Sequence, residues 1–152
     1  MNIGLCMKRK VISISAEASA RTAAITLANN HIGTLPVVDD ENKLIGFVRM
    51  RDLINLAMPD FIKLVEQFDF VPDFGAAEDQ PLEPGVFEIP ISQIMNPPVS
   101  VEETSGLLRA AALLQNHQMT DLPVIDRESH LVGIISYPDI GIALISNWNL
   151  SK

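Results

Sequence analysis

Apolar and polar residues follow two rhythms along this chain, and both rhythms occur twice. Val11–Ile14 (VISI) alternates weakly and predicts a short strand. Ala20, Ala23, Ala24 and Leu27 then fall at i, i+3, i+4 and i+7, the stripe of a helix that Ser19 could cap and Asn29-Asn30 could end. Two apolar runs, Leu35–Val38 and Leu44–Val48, flank a polar turn and predict a hairpin. A helix is expected from about Arg51 to Met58, with Leu53, Ile54, Leu56 and Ala57 on its buried face, stopped by Pro59. The later part of the chain repeats the plan. Val99–Val101 is the short strand, and Ser105 can cap a helix striped by Leu107, Ala110, Ala111 and Leu114. Leu122–Ile125 and Leu131–Ile135 are the hairpin strands, and a last helix runs from Asp139 towards Trp148.

The repetition extends to residue identity. Leu35–Asp52 reads LPVVDDENKLIGFVRMRD and Leu122–Asp139 reads LPVIDRESHLVGIISYPD, an ungapped offset of 87 with eight of eighteen positions identical. A repeat of that period marks one supersecondary unit used twice. Residues 1–58 form the first unit, 91–152 the second, and 59–90 an insertion with no counterpart in either.

The unit β-α-β-β-α, with LPVVD…LIGFV..RDL and LPVID…LVGII..PDI, resembles the cystathionine β-synthase-type (CBS) domain, and the two copies resemble a CBS pair, or Bateman module. Met7 and Met95, ahead of each short strand, match the opening usual in that family. The resemblance spans roughly Met7–Met58 and Ile94–Ser146. It implies an α/β (α+β) fold of two units packed through their sheets about a pseudo-twofold axis, with two clefts between them and further association into homodimers.

Composition narrows the function. A net charge of −8 argues against nucleic-acid binding, which needs basic surface to displace counterions from phosphates. The single cysteine, Cys6, offers neither an internal disulfide nor a zinc pattern. Met1–Lys10 lacks the apolar core of a signal peptide, and Pro138 and Asp139 interrupt the most apolar tract, Leu131–Trp148, so a soluble cytoplasmic protein with no membrane span is expected. Almost all of the charge lies in the insertion, where eight acids stand against Lys63 alone. Five of the six phenylalanines are there too: Phe61, Phe68, Phe70, Phe74 and Phe87. Disordered linkers are poor in aromatics, so the insertion is expected to be anchored, either packed on the pair or docked on a partner. No metal-ligand spacing occurs in it.

No nucleophile–base constellation or Gly-rich phosphate loop is present, and His31, His117 and His130 occur singly, so an enzyme is not expected. The binding candidate is Gly133-Ile-Ile-Ser136-Tyr-Pro-Asp139. By resemblance it is the family's G-h-h-[S/T]-x-x-D ribose-phosphate motif. Asp139 at a helix start can accept from two vicinal ribose hydroxyls, and Ser136 can donate to a phosphate near a helix N-terminus. Both residues could instead simply cap the last helix. The resemblance puts the base against the opposite repeat, at Ile12, Ile32 and Gly33. Met7 stands where a Thr often precedes the first strand, which leaves base recognition open.

The first repeat departs further, with Arg49 where Ser or Thr is usual, followed by Arg51 and Asp52. Asp52 could bind ribose with Met119 and Thr120 near the base, the arginines pairing with phosphates. Alternatively Arg49 fills the cleft and bridges to Asp52. The expected function is a regulatory module that requires no cofactor, binds AMP, ADP, ATP or S-adenosylmethionine between the repeats, and signals to another protein. The opposing reading is a structural or protein-interaction module with degenerate, ligand-free sites.

Overall fold

A computed structural model describes residues 2–64 and 71–150. The first repeat contains β1 (Ile14–Ser15), α1 (Ala20–Asn30), β2 (Thr34–Val38), β3 (Leu44–Arg49) and α2 (Met50–Ala57). A short helix, α3 (Asp60–Lys63), opens the insertion. The second repeat contains β4 (Val101–Glu102), α4 (Leu107–His117), β5 (Asp121–Ile125), β6 (Leu131–Ser136) and α5 (Tyr137–Asn147). Each repeat folds as a three-stranded sheet in sequential order. The short strand is parallel to the second strand, and the hairpin is antiparallel with a bulge near its turn. The two registers are the same at an offset of 87, down to the bulge after Val37 and Val124.

Local differences from the sequence reading fall at element ends. Ser19 caps α1 by accepting from Thr22 N at 3.2 Å, as expected. Ser105 does not cap α4: its Oγ accepts from Glu102 N at 3.3 Å, and Gly106 takes the cap position. Helix α1 ends at Asn30, as the polar pair Asn29-Asn30 suggests, and both α1 and α4 are closed by a left-handed C-cap residue, His31 (φ 52°) and Gln118 (φ 53°). The short strands start later than the alternation suggests, because only two residues of each reach the ladder of the next strand.

Two cores form. Ala20, Ala23, Leu27, Leu35, Val37, Val48 and Leu53 build the first; Leu107, Ala110, Leu114, Leu122, Val124, Ile135 and Ile140 build the second. Each receives a fully buried isoleucine from outside its own repeat. Ile3 sits in the second core and Ile91 in the first. The backbone records the same exchange. Ile3 N and Gly4 N donate to Ser105 O and Glu103 O, while Ile91 N and Ser92 N donate to Ala18 O and Ala16 O. Lys8 then pairs with Ile134 on β6, and Asn96 with Phe47 on β3. The segment leading into each repeat is therefore an arm laid across the other one.

Gly46 and Gly133 make the crossing possible. A Cβ at Gly46 would lie 2.6 Å from Asn96 O, and one at Gly133 would lie 2.8 Å from Met7 Sδ and 3.0 Å from Lys8 O. The sheets also meet at their turns, where Leu44 N donates to Ser129 O and Leu131 N to Asn42 O, both at 3.0 Å. These reciprocal pairs express the pseudo-twofold relation between the repeats.

The insertion is tied to the first repeat at its far end. Ala20 N and Arg21 N donate to Ile89 O and Phe87 O, the Arg21 side chain donates to Glu88 at 2.7 Å, and Phe87 packs against the first core. Phe61 and Phe74 meet edge to face, 6.1 Å between ring centres. Phe68 and Phe70 lie outside the described residues. Among the described residues, no helix is long and apolar enough to cross a membrane, and no three potential ligands cluster as a metal site.

Candidate functional site

The pseudo-twofold axis brings the starts of β2 and β5 together. Thr34, fully buried, meets Thr120 with 3.2 Å between the two Oγ1 atoms. The approach is closest at Gly33, where any Cβ would collide with the Thr120 side chain. The ends of β3 and β6 lie beside these strands, so that Thr34 is paired with Arg49 and Asp121 with Ser136. Each pair leads directly into a helix, α2 or α5, with Asp52 or Asp139 at its third position.

At the first motif the carboxylate is saturated. Arg49 Nε donates to Asp52 Oδ2 at 3.0 Å and Nη2 to Oδ1 at 2.8 Å, while Arg49 N also donates to Oδ2 at 2.8 Å. Asn96 Nδ2, from the crossing arm, adds a fourth bond at 2.9 Å. Arg49 Nη1 donates to His117 O, one of the carbonyls left free at the end of α4, at 2.8 Å. The guanidinium carbon lies 5.8 Å from the centre of the Phe47 ring. Only 18% of the Arg49 side chain and 15% of the Asp52 side chain remain exposed. Burial pushes the Asp52 pKa up, but the hydrogen bonds from Arg49 and Asn96 outweigh it and hold the carboxyl below its ordinary range. Of the two geometries open to Arg49, the structure adopts the bridge to Asp52. Arg51 is turned towards the Gln118 side chain, and Met119 is buried in the second core.

The second motif is looser. Ser136 Oγ accepts from Asp139 N at 3.2 Å, and Ser136 N donates to Asp139 Oδ2 at 3.4 Å, a weak reciprocal cap. The arm residue here is Lys8, whose Nζ stands 4.0 Å from Oδ2 and is mostly exposed. Among the described residues, Asp139 Oδ1 accepts no hydrogen bond, and 27% of the side chain faces solvent. Gly33 packs against the side chain of Thr120, the residue before Asp121. Ile32 and Ile12 are half-buried against the first core.

Three participants were not anticipated from sequence. Lys8 and Asn96 each follow a methionine, Met7 or Met95, and are equivalent at an offset of 88; that equivalence was the available signal. Asp121 stands immediately before Leu-Pro, where the first repeat has Thr34. Thr120 Oγ1 donates to it at 2.8 Å. Burial, helped by the nearby Asp139 charge, pushes the Asp121 pKa up against the opposing pull of Thr120, Lys8 and Gly33.

A cleft of about 510 Å³ beside this end is lined by Leu114, Gln118, Met119, Thr120, Tyr137 and Pro138. A second hollow, about 380 Å³, lies between Leu56–Asp60 and the insertion, away from both motifs.

Comparison with known proteins agrees with this architecture. The family model described as CBS domain matches residues 2–58 and 91–145. A CBS domain-containing protein of Dictyostelium discoideum is 28% identical over 135 residues, covering 88% of this chain and 84% of that protein. An inosine-5′-monophosphate dehydrogenase of Bifidobacterium longum is 31% identical over 109 residues, 72% of this chain but 16% of the enzyme. The CBS-pair protein CBSX2 of Arabidopsis thaliana superposes with a TM-score of 0.71 at 23% identity, covering 96% of this chain and 95% of that one. A crystal structure of CBSX2 in complex with AMP gives 0.68 at 24% identity, over 97% and 98% of the two chains. The CBS domain pair of protein MJ0100, in complex with 5′-methylthioadenosine and S-adenosyl-L-methionine, gives 0.69 at 20% identity, again over 97% and 98%.

Proposed function

The chain belongs to the CBS domain family, and from that premise we propose that it is a regulatory module whose second motif binds an adenosine-type ligand between the repeats. The observation that carries this reading is the contrast between the two aspartates. Asp52 is fully hydrogen-bonded within the protein, whereas Asp139 keeps one oxygen unbonded among the described residues and faces solvent. A carboxylate with spare acceptor capacity at a helix start suits the vicinal hydroxyls of a ribose. The AMP complex of CBSX2 and the adenosyl complex of MJ0100 support the ligand class. Occupancy would be transmitted through the arm carrying Lys8, because a ligand on Asp139 alters that contact and with it the packing between repeats. The regulated target is then another protein. Isothermal calorimetry with AMP and S-adenosylmethionine tests the reading: Asp139→Ala should weaken binding by roughly 1.5–3 kcal/mol. Equal affinity in variant and wild type would reduce Asp139 to a helix cap.

A second reading, a protein-interaction module, draws on the outer helices. Leu108, Ile142, Ile145 and Trp148 are exposed on α4, α5 and the residue after it, and Ile25 and Ile54 on α1 and α2. An apolar outer layer of this kind suits a homodimer interface. Sedimentation of the protein as a monomer at micromolar concentration would remove self-association from the reading.

A further inference from the structure

We propose that the second motif selects adenosine ligands with a cationic 5′ substituent over those with a 5′ phosphate, and that Asp121 is the residue that sets this preference. The inference rests on the ribose-binding reading of Asp139 and adds the chemistry of the group beyond the ribose.

The start of α5 offers little to a phosphate. A helix N-terminus binds anions through backbone N–H groups that lack partners. Here the Ser136 N–H is taken by Asp139, the Asp139 N–H by Ser136 Oγ, and the Tyr137 N–H by Thr120 O at 3.0 Å. Pro138 has no N–H to give. The backbone N–H groups from Ser136 to Asp139 are therefore spent inside the protein, and the Ser136 hydroxyl is what this helix start still has to offer a phosphate.

The charge at this end points the same way. Asp121 lies directly across the ladder from Ser136, the residue the motif would turn towards the 5′ group. Its carboxyl is held there by Thr120 Oγ1, which donates to Oδ2 at 2.8 Å. Lys8 Nζ stands 4.0 Å from Asp139 and its charge also draws the Asp121 pKa down, so among these three groups one positive charge serves two carboxylates. The balance is one negative charge where a phosphate would add more, and where a sulfonium or ammonium group would neutralise it. In the first repeat the equivalent position is Thr34, a neutral residue.

The test is calorimetric titration of the full chain with four probes: S-adenosylmethionine, 5′-methylthioadenosine, AMP and ATP. Wild type should bind them in that order of decreasing affinity. The variant Asp121→Asn, of similar size and with its fold checked by circular dichroism, should lose about tenfold of the advantage of S-adenosylmethionine over AMP. If AMP binds wild type as tightly as S-adenosylmethionine, or if the ratio survives Asp121→Asn, the proposal fails while the adenosine reading stands. If none of the four binds, both fail together.

Discussion

The two repeats carry the same backbone and nearly the same hairpin sequence, yet their motifs end in opposite electrostatic states. Arg49 against Ser136, and Asn96 against Lys8, account for the difference. In the first repeat a planar guanidinium can span both carboxylate oxygens and still reach the end of α4, so Asp52 is consumed by the protein. In the second, a serine is too short to do more than cap, and the arm lysine stays largely in solvent, so Asp139 is left available. One side chain thus occupies the carboxylate of a motif without any change in the fold that presents it.

The strongest test removes what the repeats share. Ile3 and Ile91 are both fully buried in the opposite core, so Ile3→Ala and Ile91→Ala should each cost about 2–5 kcal/mol, and either should melt both halves in one transition. Two separate transitions in calorimetry would show that the repeats fold independently. A single repeat of this size also buries too little surface to be stable alone.

Next comes the contrast itself. Asp52→Ala leaves a mostly buried Arg49 without its counter-ion and should cost about 3 kcal/mol, the lower end for a broken buried pair, since both side chains keep some exposure. Asp139→Ala loses a weak cap and a solvent-screened contact, and should cost about 1 kcal/mol or less. Urea midpoints that shift equally for the two variants would erase the distinction between a closed and an open motif.

The glycines should separate in the same direction. A methyl at Gly46 meets the Asn96 carbonyl, a backbone group that accepts from Phe47 N while Asn96 N donates to Phe47 O, so Gly46→Ala should cost about 1–3 kcal/mol. At Gly133 the first obstacle is the Met7 thioether, a flexible side chain that can move aside, so Gly133→Ala should cost less. A larger loss at Gly133 in thermal melts would contradict this ordering.

The smallest effect is in the pH dependence. The folded-state pKa of Asp52 is depressed, so its contribution to stability is present above the unfolded value, about 3.9, and is lost as pH falls through the folded value. Asp121 has the opposite sign. Its folded pKa is raised, so its relative contribution is present below the unfolded value and is lost as pH rises through the folded one. Between about pH 5 and pH 3, Asp52→Asn should flatten the acid loss of stability and Asp121→Asn should steepen it. Parallel stability–pH curves for the two variants would refute these opposite signs.

Most of the architecture was legible in the sequence, because periodicity and an ungapped repeat are local properties. The stripes of α1 and α4, the hairpins around Leu-Pro-Val and the helices after them all follow from the spacing of apolar residues. The recurrence at 87 residues implied two like units before any contact was known. The stretch Gly133–Asp139 and its altered copy at Gly46–Asp52 stand out as part of that repeat, but only the resemblance to the CBS family marked them as a binding motif. What the tertiary structure decided were relations between residues far apart in the chain. The exchanged arms, Lys8 beside Asp139, Asn96 on Asp52 and Asp121 within the field of both Lys8 and Asp139 depend on how the repeats face each other. Whether Arg49 reached out to a ligand or folded back on Asp52 was equally beyond the sequence. That choice turned on a free carbonyl at the end of α4 and an amide from the opposite arm, and only the packed pair brings both within hydrogen-bonding distance.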